Sequence, residues 1–204
     1  MRSTLHIAAV FGYIAVGLAA GCQQSRPSSS AAVSIDGNTV VLAADAPAKS
    51  PLREITAAIA IVQPLSDSKV AGKVTFTQSA DGVMVVADIT GLTPGKHGFH
   101  IHQFGDLSDP KGASAGGHYN PEGEAHGLPG SPHHHPGDMG NLEADADGKA
   151  HLEITLAGAT LAGDKDPILG RSIIIHAKED DGGQPTGNAG GRIGGGIIGV
   201  AKVK

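Results

Sequence analysis

Short runs of alternating apolar residues, separated by glycine-containing turns, fill the chain from Leu52 onward. Val74 and Phe76 alternate with other residues, as do Val83 and Val85, and the Ser-Ala-Asp-Gly sequence between the two runs is typical of a hairpin turn. A period of two places the apolar side chains of each run on one face, as on a β-strand. The pattern therefore predicts an antiparallel all-β domain.

Seven strands are predicted in this domain, and they are 57–62, 72–77, 83–89, 97–104, 150–156, 172–176 and 196–203. Only 3% of the residues are aromatic and Trp is absent, so we expect a core of Val, Ile, Leu and Ala. The interval from Gly105 to Asn141 carries Gly, Pro and His in place of periodic apolar residues. A loop of that length in a compact domain is usually functional.

Charge and composition limit the functions that this chain can have. The formal net charge of -5 provides no bulk basic field, so nucleic-acid binding is not expected. The chain holds 11 His but only 1 Cys. An internal disulfide is therefore excluded, and metal chemistry on imidazole is favoured over thiolate chemistry.

The amino terminus has the pattern of an export signal. Arg2 precedes an uncharged, mostly apolar stretch from Ile7 to Ala20, which is shorter than the roughly 20 apolar residues that span a bilayer. The small residues before Cys22 resemble a bacterial lipobox, in which the cysteine is lipidated after cleavage. Gln23 resembles the outer-membrane sorting pattern. The alternative is an ordinary secreted protein with one unpaired thiol.

These features divide the chain into three segments. Residues 1–21 are predicted to be a signal peptide, and residues 22–51 a lipidated cysteine followed by a flexible tether rich in Ser, Ala and Pro. Asn38 to Leu42 is the one place in the tether that favours a brief strand. Residues 52–204 form the folded domain. The expected location is the bacterial cell envelope, with the anchor in a membrane facing the periplasm.

Two histidines stand immediately before the long loop. His100 and His102 are two residues apart, so on a β-strand both imidazoles project from the same face and can share a metal ion. His97 lies an odd number of residues from both and is expected to face the other way in a structural hydrogen-bonding role. A pair of surface histidines is the alternative for the His100 and His102 pattern, so further ligands are needed.

The loop supplies further ligands in His118, His126, the run from His133 to His135, and Asp138. Three imidazoles and a carboxylate suit a closed tetrahedral zinc site. The alternative for the triple histidine is a solvated patch or a weak metal scavenger. The Gly and Pro content of the loop instead favours a chain bent around a fixed centre, with His133 and His134 facing solvent.

Five separated motifs resemble the copper/zinc superoxide dismutase family: GKHGFHIHQFGD at 95–106, SAGGHYNP at 114–121, HPGDMGN at 135–141, IIIHAKEDD at 173–181 and TGNAGGR at 186–192. The similarity runs from Leu52 to Lys204. It implies a Greek-key β-barrel or sandwich of about eight antiparallel strands with long metal-binding and active-site loops. It also implies an oxidoreductase that converts superoxide to dioxygen and hydrogen peroxide and so protects the exported compartment.

The resemblance assigns a ligand set to each metal. The implied copper ligands are His100, His102, His118 and His176, and the implied zinc ligands are His118, His126, His135 and Asp138. His118 is then shared by both metals, and its ring is expected to return a proton during turnover. Asp180 resembles the carboxylate that joins a copper-ligand ring to a zinc-ligand ring, with the neighbouring Asp181 as the alternative. Arg192 matches the arginine that attracts the anionic substrate.

Two departures from the family are informative. Gly112 and Gly195 occupy the positions of two cysteines that usually form a disulfide, so we expect the loop to be held by metal and packing. The segment from Asp181 to Thr186 is also shorter than the charged loop of many members, with Gly182 to Pro185 at the positions where charged residues often guide the substrate. The oligomeric state is open, with a homodimer as one outcome.

Two other functions compete with the enzyme. A protein of this fold could bind copper or zinc for storage or delivery without turnover, and the triple histidine suits that role. Retention of Arg192 and of all four copper positions argues against it. An adhesive or purely structural lipoprotein domain explains none of the ligand spacing.

Overall fold

The computed structural model describes residues 32–35, 38–41 and 55–202. The chain divides into two compact units, Met1–Ala48 and Lys49–Lys204. In the first unit, strands β1 (Ala32–Ile35) and β2 (Asn38–Val41) pair antiparallel. The brief strand expected at Asn38 is thus present, and its partner strand was not predicted. The predicted signal segment and Cys22 lie outside the described residues.

Among its described residues, the second unit contains nine strands in one antiparallel sheet. They are β3 (Ala57–Pro64), β4 (Ala71–Gln78), β5 (Gly82–Thr90), β6 (Gly95–His102), β7 (Asp138–Ala144), β8 (Ala150–Ala157), β9 (Ser172–His176), β10 (Arg192–Ile197) and β11 (Gly199–Val200). Eight follow the order β7-β6-β9-β10-β3-β4-β5-β8, and β11 pairs with β3. Residues 145–149 form a turn between β7 and β8, the two outer strands of this order. These two strands contact each other, so the sheet forms a nearly closed barrel. The predicted all-β class is confirmed.

The β4–β5 hairpin shows how the alternating pattern builds the barrel. Phe76 lies opposite Val85, and both side chains are buried. At the predicted turn the backbone N–H and the hydroxyl of Ser79 both donate to the carbonyl of Gly82, at 2.8 and 2.9 Å. Gly82 has φ 140°, a conformation that favours glycine. Local turn chemistry and apolar alternation therefore fix the same register.

The barrel core has the expected composition. Phe76 and Phe99 are the only aromatic side chains among its largest fully buried residues in the described part of the chain, and most of the others are Ile or Leu. Ile173 on β9 and Ile101 on β6 are neighbours across the ladder and both are fully buried. Truncating such a residue to Ala typically costs about 2–5 kcal/mol. The core is a rigid support for the histidines at its edge.

Several strand boundaries differ from the prediction. β6 ends at His102, not at residue 104, and the predicted strand 196–203 is interrupted at Ile198. β7 and the first four residues of β10 were missed. β7 is buried along most of its length and shows no alternation, and the Gly-rich β10 has little strand propensity of its own. Pairing with β6, β9 and β3 forms these segments, which is a tertiary effect.

Two long connections link strands of the barrel. Residues 103–137 link β6 to β7 and include a short 3-10 helix at Ala113–Ala115, and residues 177–191 link β9 to β10. No helix in the described residues is long and apolar enough to cross a membrane. The predicted functional loop is thus present, with its last residues belonging to β7.

Candidate metal centre

Strands and loops bring seven histidine and aspartate side chains together. β6 supplies His100 and His102, and β9 ends at His176. The long connection supplies the remaining rings. Its first histidine, His118, is fixed against β6 by a bridge to His102, and the N–H of Tyr119 donates to the carbonyl of Ile101 at 2.8 Å. The whole set, with His126, His135 and Asp138, is buried.

One cluster contains only imidazoles: His100, His102, His118 and His176. One ring nitrogen of each lies within 4.8 Å of the others. The Nδ1 atoms of His102 and His176 lie 3.0 and 3.1 Å from the carbonyls of Gly116 and Gly190. Donation to these carbonyls leaves a lone pair on each Nε2, and the two Nε2 atoms are 3.4 Å apart.

A second cluster surrounds one carboxylate. Asp138 Oδ1 lies 3.1 Å from Nδ1 of His118 and 3.1 Å from Nδ1 of His135, and Oδ2 lies 2.9 Å from Nδ1 of His126. The backbone N–H groups of His135 and Gly127 also donate to Oδ2, at 3.0 and 3.2 Å. Three nitrogens and one carboxylate in this arrangement match the donor set of a closed zinc site.

Asp180 connects the two clusters. Its Oδ2 lies 2.8 Å from Nε2 of His100 and its Oδ1 lies 2.9 Å from Nε2 of His126. Asp180 is fully buried, whereas Asp181 is exposed and bonds to Asn188. The carboxylate that touches both rings is therefore that of Asp180. Histidines that bind metals usually donate their other ring N–H to such a partner.

Three buried ring nitrogens test whether metals fit. His100 Nδ1, His118 Nε2 and His126 Nδ1 have no hydrogen-bond partner. His126 Nδ1 lies 2.9 Å from Asp138 Oδ2 without hydrogen-bond geometry, as expected of two ligand atoms that point at the same metal ion. A buried unpaired polar group costs about 1–3 kcal/mol. Because these atoms point into donor sets that suit copper and zinc, the residues fit a pair of metal ions.

Burial sets the protonation of the donors. It lowers the pKa of His102 to about 2 and that of His176 to about 3, with the nearby charge of Arg192 acting in the same direction. Burial alone would raise the pKa of Asp138, but hydrogen bonds from His118 and His135 outweigh it and lower that pKa. Neutral imidazoles and an ionised carboxylate are the forms that bind metals.

His118 belongs to both clusters. Its Nδ1 faces Asp138, while its Nε2 is the atom left without a partner. Its ring centroid lies 4.1 Å from that of His100 and 5.2 Å from that of His126. A single imidazole therefore presents one nitrogen to each side of the centre.

Arg192 lies near the all-imidazole cluster, where its charge acts on His102 and His176. Its two terminal nitrogens donate to the carbonyls of Gly112 and Gly116, the latter at 2.6 Å. With Lys111 and Gly191 it lines an open depression of about 510 Å³. The guanidinium is half-buried and held in place by the loop, so its positive charge is fixed near the histidines.

Two positioning residues were missed by sequence reasoning. The amide of Asn141 accepts from the N–H of Asp180 at 2.8 Å and donates to its carbonyl at 2.9 Å. The amide of Gln184 similarly donates to the carbonyl of His126 at 2.7 Å and accepts from its N–H at 3.1 Å. Asn141 ends a recognised motif, which was the available signal. Gln184 stands in a segment with no signal.

The remaining predicted histidines are not in the two clusters. His97 is buried, with Nδ1 lying 2.8 Å from the carbonyl of His176 and Nε2 lying 2.9 Å from that of Thr93, so it supports the backbone of a cluster residue as expected. His133 and His134 are exposed, as predicted.

Two comparisons with known proteins point to the same family. Residues 70–198 match the family model of copper/zinc superoxide dismutase (SODC). The extracellular superoxide dismutase [Cu-Zn] of Brugia pahangi is 40% identical over 154 residues, which cover 71% of this chain and 76% of that protein.

Proposed function

Since the chain belongs to the copper/zinc superoxide dismutase family, we propose a division of labour among the residues of its metal centre. The family makes the protein an oxidoreductase that uses copper and zinc to convert superoxide to dioxygen and hydrogen peroxide.

The all-imidazole cluster is assigned to copper. His100, His102 and His176 offer neutral nitrogens, and imidazole suits copper in both oxidation states it uses. The cluster with Asp138 is assigned to zinc, since three imidazoles and one carboxylate close a tetrahedral structural site. His118 contributes a nitrogen to each. The single observation that supports this assignment best is the set of buried, unpartnered nitrogens facing these positions.

The chain's own residues then control the anion and the proton. Copper, when bound, would supply the one-electron steps. Zinc cannot supply them, because it has no accessible redox step. Arg192 attracts superoxide toward the all-imidazole cluster and orients it. His118 Nε2 is the atom that takes up a proton and returns it to the reduced substrate, while Asp180 keeps the rings of His100 and His126 in one orientation. With a net charge of -5, local focusing by Arg192 matters more than overall charge.

The assignment is tested by metal content and turnover together. The protein is loaded with copper and zinc, and superoxide removal is measured against copper per chain. We expect His102→Ala to lose copper and activity while retaining most zinc, and Asp138→Ala to lose zinc and loosen the loop. If both variants kept full metal content and activity, the ligand assignment would be wrong. Copper bound at one equivalent without turnover would favour the storage role.

Export and anchoring form a second part of the proposal. Residues 1–21 serve as the signal, Cys22 carries the lipid, residues 22–51 form the tether and residues 52–204 form the enzyme domain in the cell envelope, facing the periplasm. The support is the sequence pattern ending at Cys22, and the relative from Brugia pahangi is named extracellular. Two or more acyl chains give stable anchoring. Cys22→Ser should release the protein from membranes, and unchanged fractionation would exclude the anchor.

We also propose that the protein forms a homodimer. Ile61 on β3, Ile197 on the paired strand β10 and Phe104 after β6 are 57%, 47% and 57% exposed. Such an apolar surface is typical of an interface. Sedimentation of the wild type and of Ile61→Glu tests whether a second copy covers it. A monomeric wild type at high concentration would exclude the dimer.

A further inference from the structure

Two histidines on the outer side of the long connection take no part in the metal centre. His133 and His134 are exposed, and His133 has 70% of its side chain accessible. Both border a depression of about 340 Å³ whose remaining charged lining residues are Glu122, Glu124, Lys165 and Asp166. The surface is thus rich in the side chains that bind cations.

Hydrogen bonds set both rings in a metal-binding form. Nδ1 of His133 lies 2.9 Å from the carboxylate of Glu124, and Nδ1 of His134 lies 2.9 Å from the carbonyl of His135. A ring that donates from Nδ1 keeps a lone pair on Nε2, and both of these rings make their hydrogen bonds through Nδ1. Donation of the other ring N–H to a carboxylate or carbonyl is the usual arrangement of metal-bound histidine.

Hydrogen bonds hold the backbone at Glu124 and at His135, on either side of the exposed rings. The side chain of Asn120 donates to the carbonyl of Glu124 at 2.8 Å and accepts from its N–H at 3.0 Å. The N–H of His135 donates to Asp138 at 3.0 Å. Glu124 and the histidine run are therefore presented from a supported loop.

Charge around the depression favours a cation. Three carboxylates border it against one lysine, and that lysine lies 3.8 Å from Glu122. Both side chains are at least half exposed, and an ion pair at that exposure is weak, so a metal ion can displace the ammonium from the carboxylate.

We propose that this depression binds one divalent transition-metal ion, with Nε2 of His133 and His134 as nitrogen ligands and Glu122 or Asp166 supplying a carboxylate oxygen. The ion is separate from the buried pair, because these rings lie on the outside of the loop. Among the described residues, groups of three donors within 4.8 Å occur only in the buried centre. Binding must therefore draw the outer donors together, and its affinity is lower than that of the buried sites.

Zinc is the probe of choice. The protein is first filled with copper and zinc, then titrated with Zn²⁺ by calorimetry, with metal analysis of each sample. Exchange of added zinc with zinc already bound at the buried site does not change the amount of zinc per chain. An increase in bound zinc therefore reports an additional site. We expect one further equivalent in the wild type, and at least a tenfold loss of affinity in His133→Gln/His134→Gln.

The matched control is His151→Ala, since His151 is the other exposed histidine among the described residues and lies outside the depression. It should retain the additional equivalent. Each single variant, His133→Gln and His134→Gln, should also weaken binding. An additional equivalent that persists unchanged in the double variant, or none in the wild type, would overturn the proposal. Copper and zinc content of the buried centre, measured on the same samples, separates this result from failure of the ligand assignment above.

Discussion

Leu65 occupies the space beside Gly112: a Cβ added to that glycine would stand 2.9 Å from Leu65 Cδ1. The same methyl carbon would lie 3.0 Å from a Cβ on Gly195. Leu65, Ala115 and Ile174 form a small buried cluster, with Leu107 packed against it. Apolar packing thus joins the long connection to the barrel at Gly112 and Gly195, the two positions where the family resemblance implies cysteines.

Truncation of Leu65 should loosen that connection. We expect Leu65→Ala to lower the free energy of unfolding by about 2–5 kcal/mol and to speed amide exchange in residues 106–117. Leu65→Met conserves volume and should cost less than about 1.5 kcal/mol. Denaturant unfolding and hydrogen exchange measure both effects. Equal stability of the Ala variant and the wild type would show that the loop is held by other contacts.

Gly187 should tolerate no side chain. A Cβ there would collide with Asp180 Oδ1 and lie 2.8 Å from His126 Nε2. Displacing Asp180 removes the partner of two rings, so we expect Gly187→Ala to weaken metal binding by about 10–100-fold. Gly170→Ala is the control, because Gly170 has a similar positive φ (79° against 75°) but open space around it. Competition with a chelator gives both affinities, and equal losses would point to backbone strain alone.

Arg192 should set both the rate and its salt dependence. Steering by a fixed charge raises association rates by about 10–1000-fold, so Arg192→Ala should reduce superoxide removal by at least tenfold. Its activity should also fall less steeply with ionic strength than that of the wild type. Arg192→Lys keeps the charge but replaces the two terminal nitrogens that bond Gly112 and Gly116 with a single nitrogen on a flexible stem, so an intermediate rate is expected. Parallel salt slopes in all three proteins would contradict steering.

The metal-free protein should lose stability on acidification. Burial lowers the pKa of His102 from 6.5 to about 2, so the unfolded chain binds this proton at a higher pH than the folded chain does. Stability therefore falls as pH decreases from about 6.5 toward 2, by up to about 1.4 kcal/mol per pH unit for each such group. Denaturation midpoints of the metal-free wild type and of His102→Gln measure the slope. The variant should show the smaller slope, and identical slopes would exclude this cause.

The sequence by itself determined the fold class and the chemistry of the donors. Alternation at residues such as Val74 and Val85 defines strands because a two-residue period is a local property of the chain. The spacing of His100 and His102 places two imidazoles on one face of a strand for the same reason. The identity of the family followed from motifs that are contiguous in the chain, and the comparisons confirm it.

Only the tertiary structure decided how distant segments meet. Asp180 rather than Asp181 reaches both His100 and His126, because the chain around it is held by Asn141, 39 residues away. Leu65 lies against Gly195 because β3 pairs with β10, and Gly112 of the long connection packs against the same side chain; no local pattern encodes either contact. The missed strand β7 has no period of its own and forms by pairing with β6. Contacts between residues far apart in sequence depend on packing of the whole barrel, and so they become visible only in three dimensions.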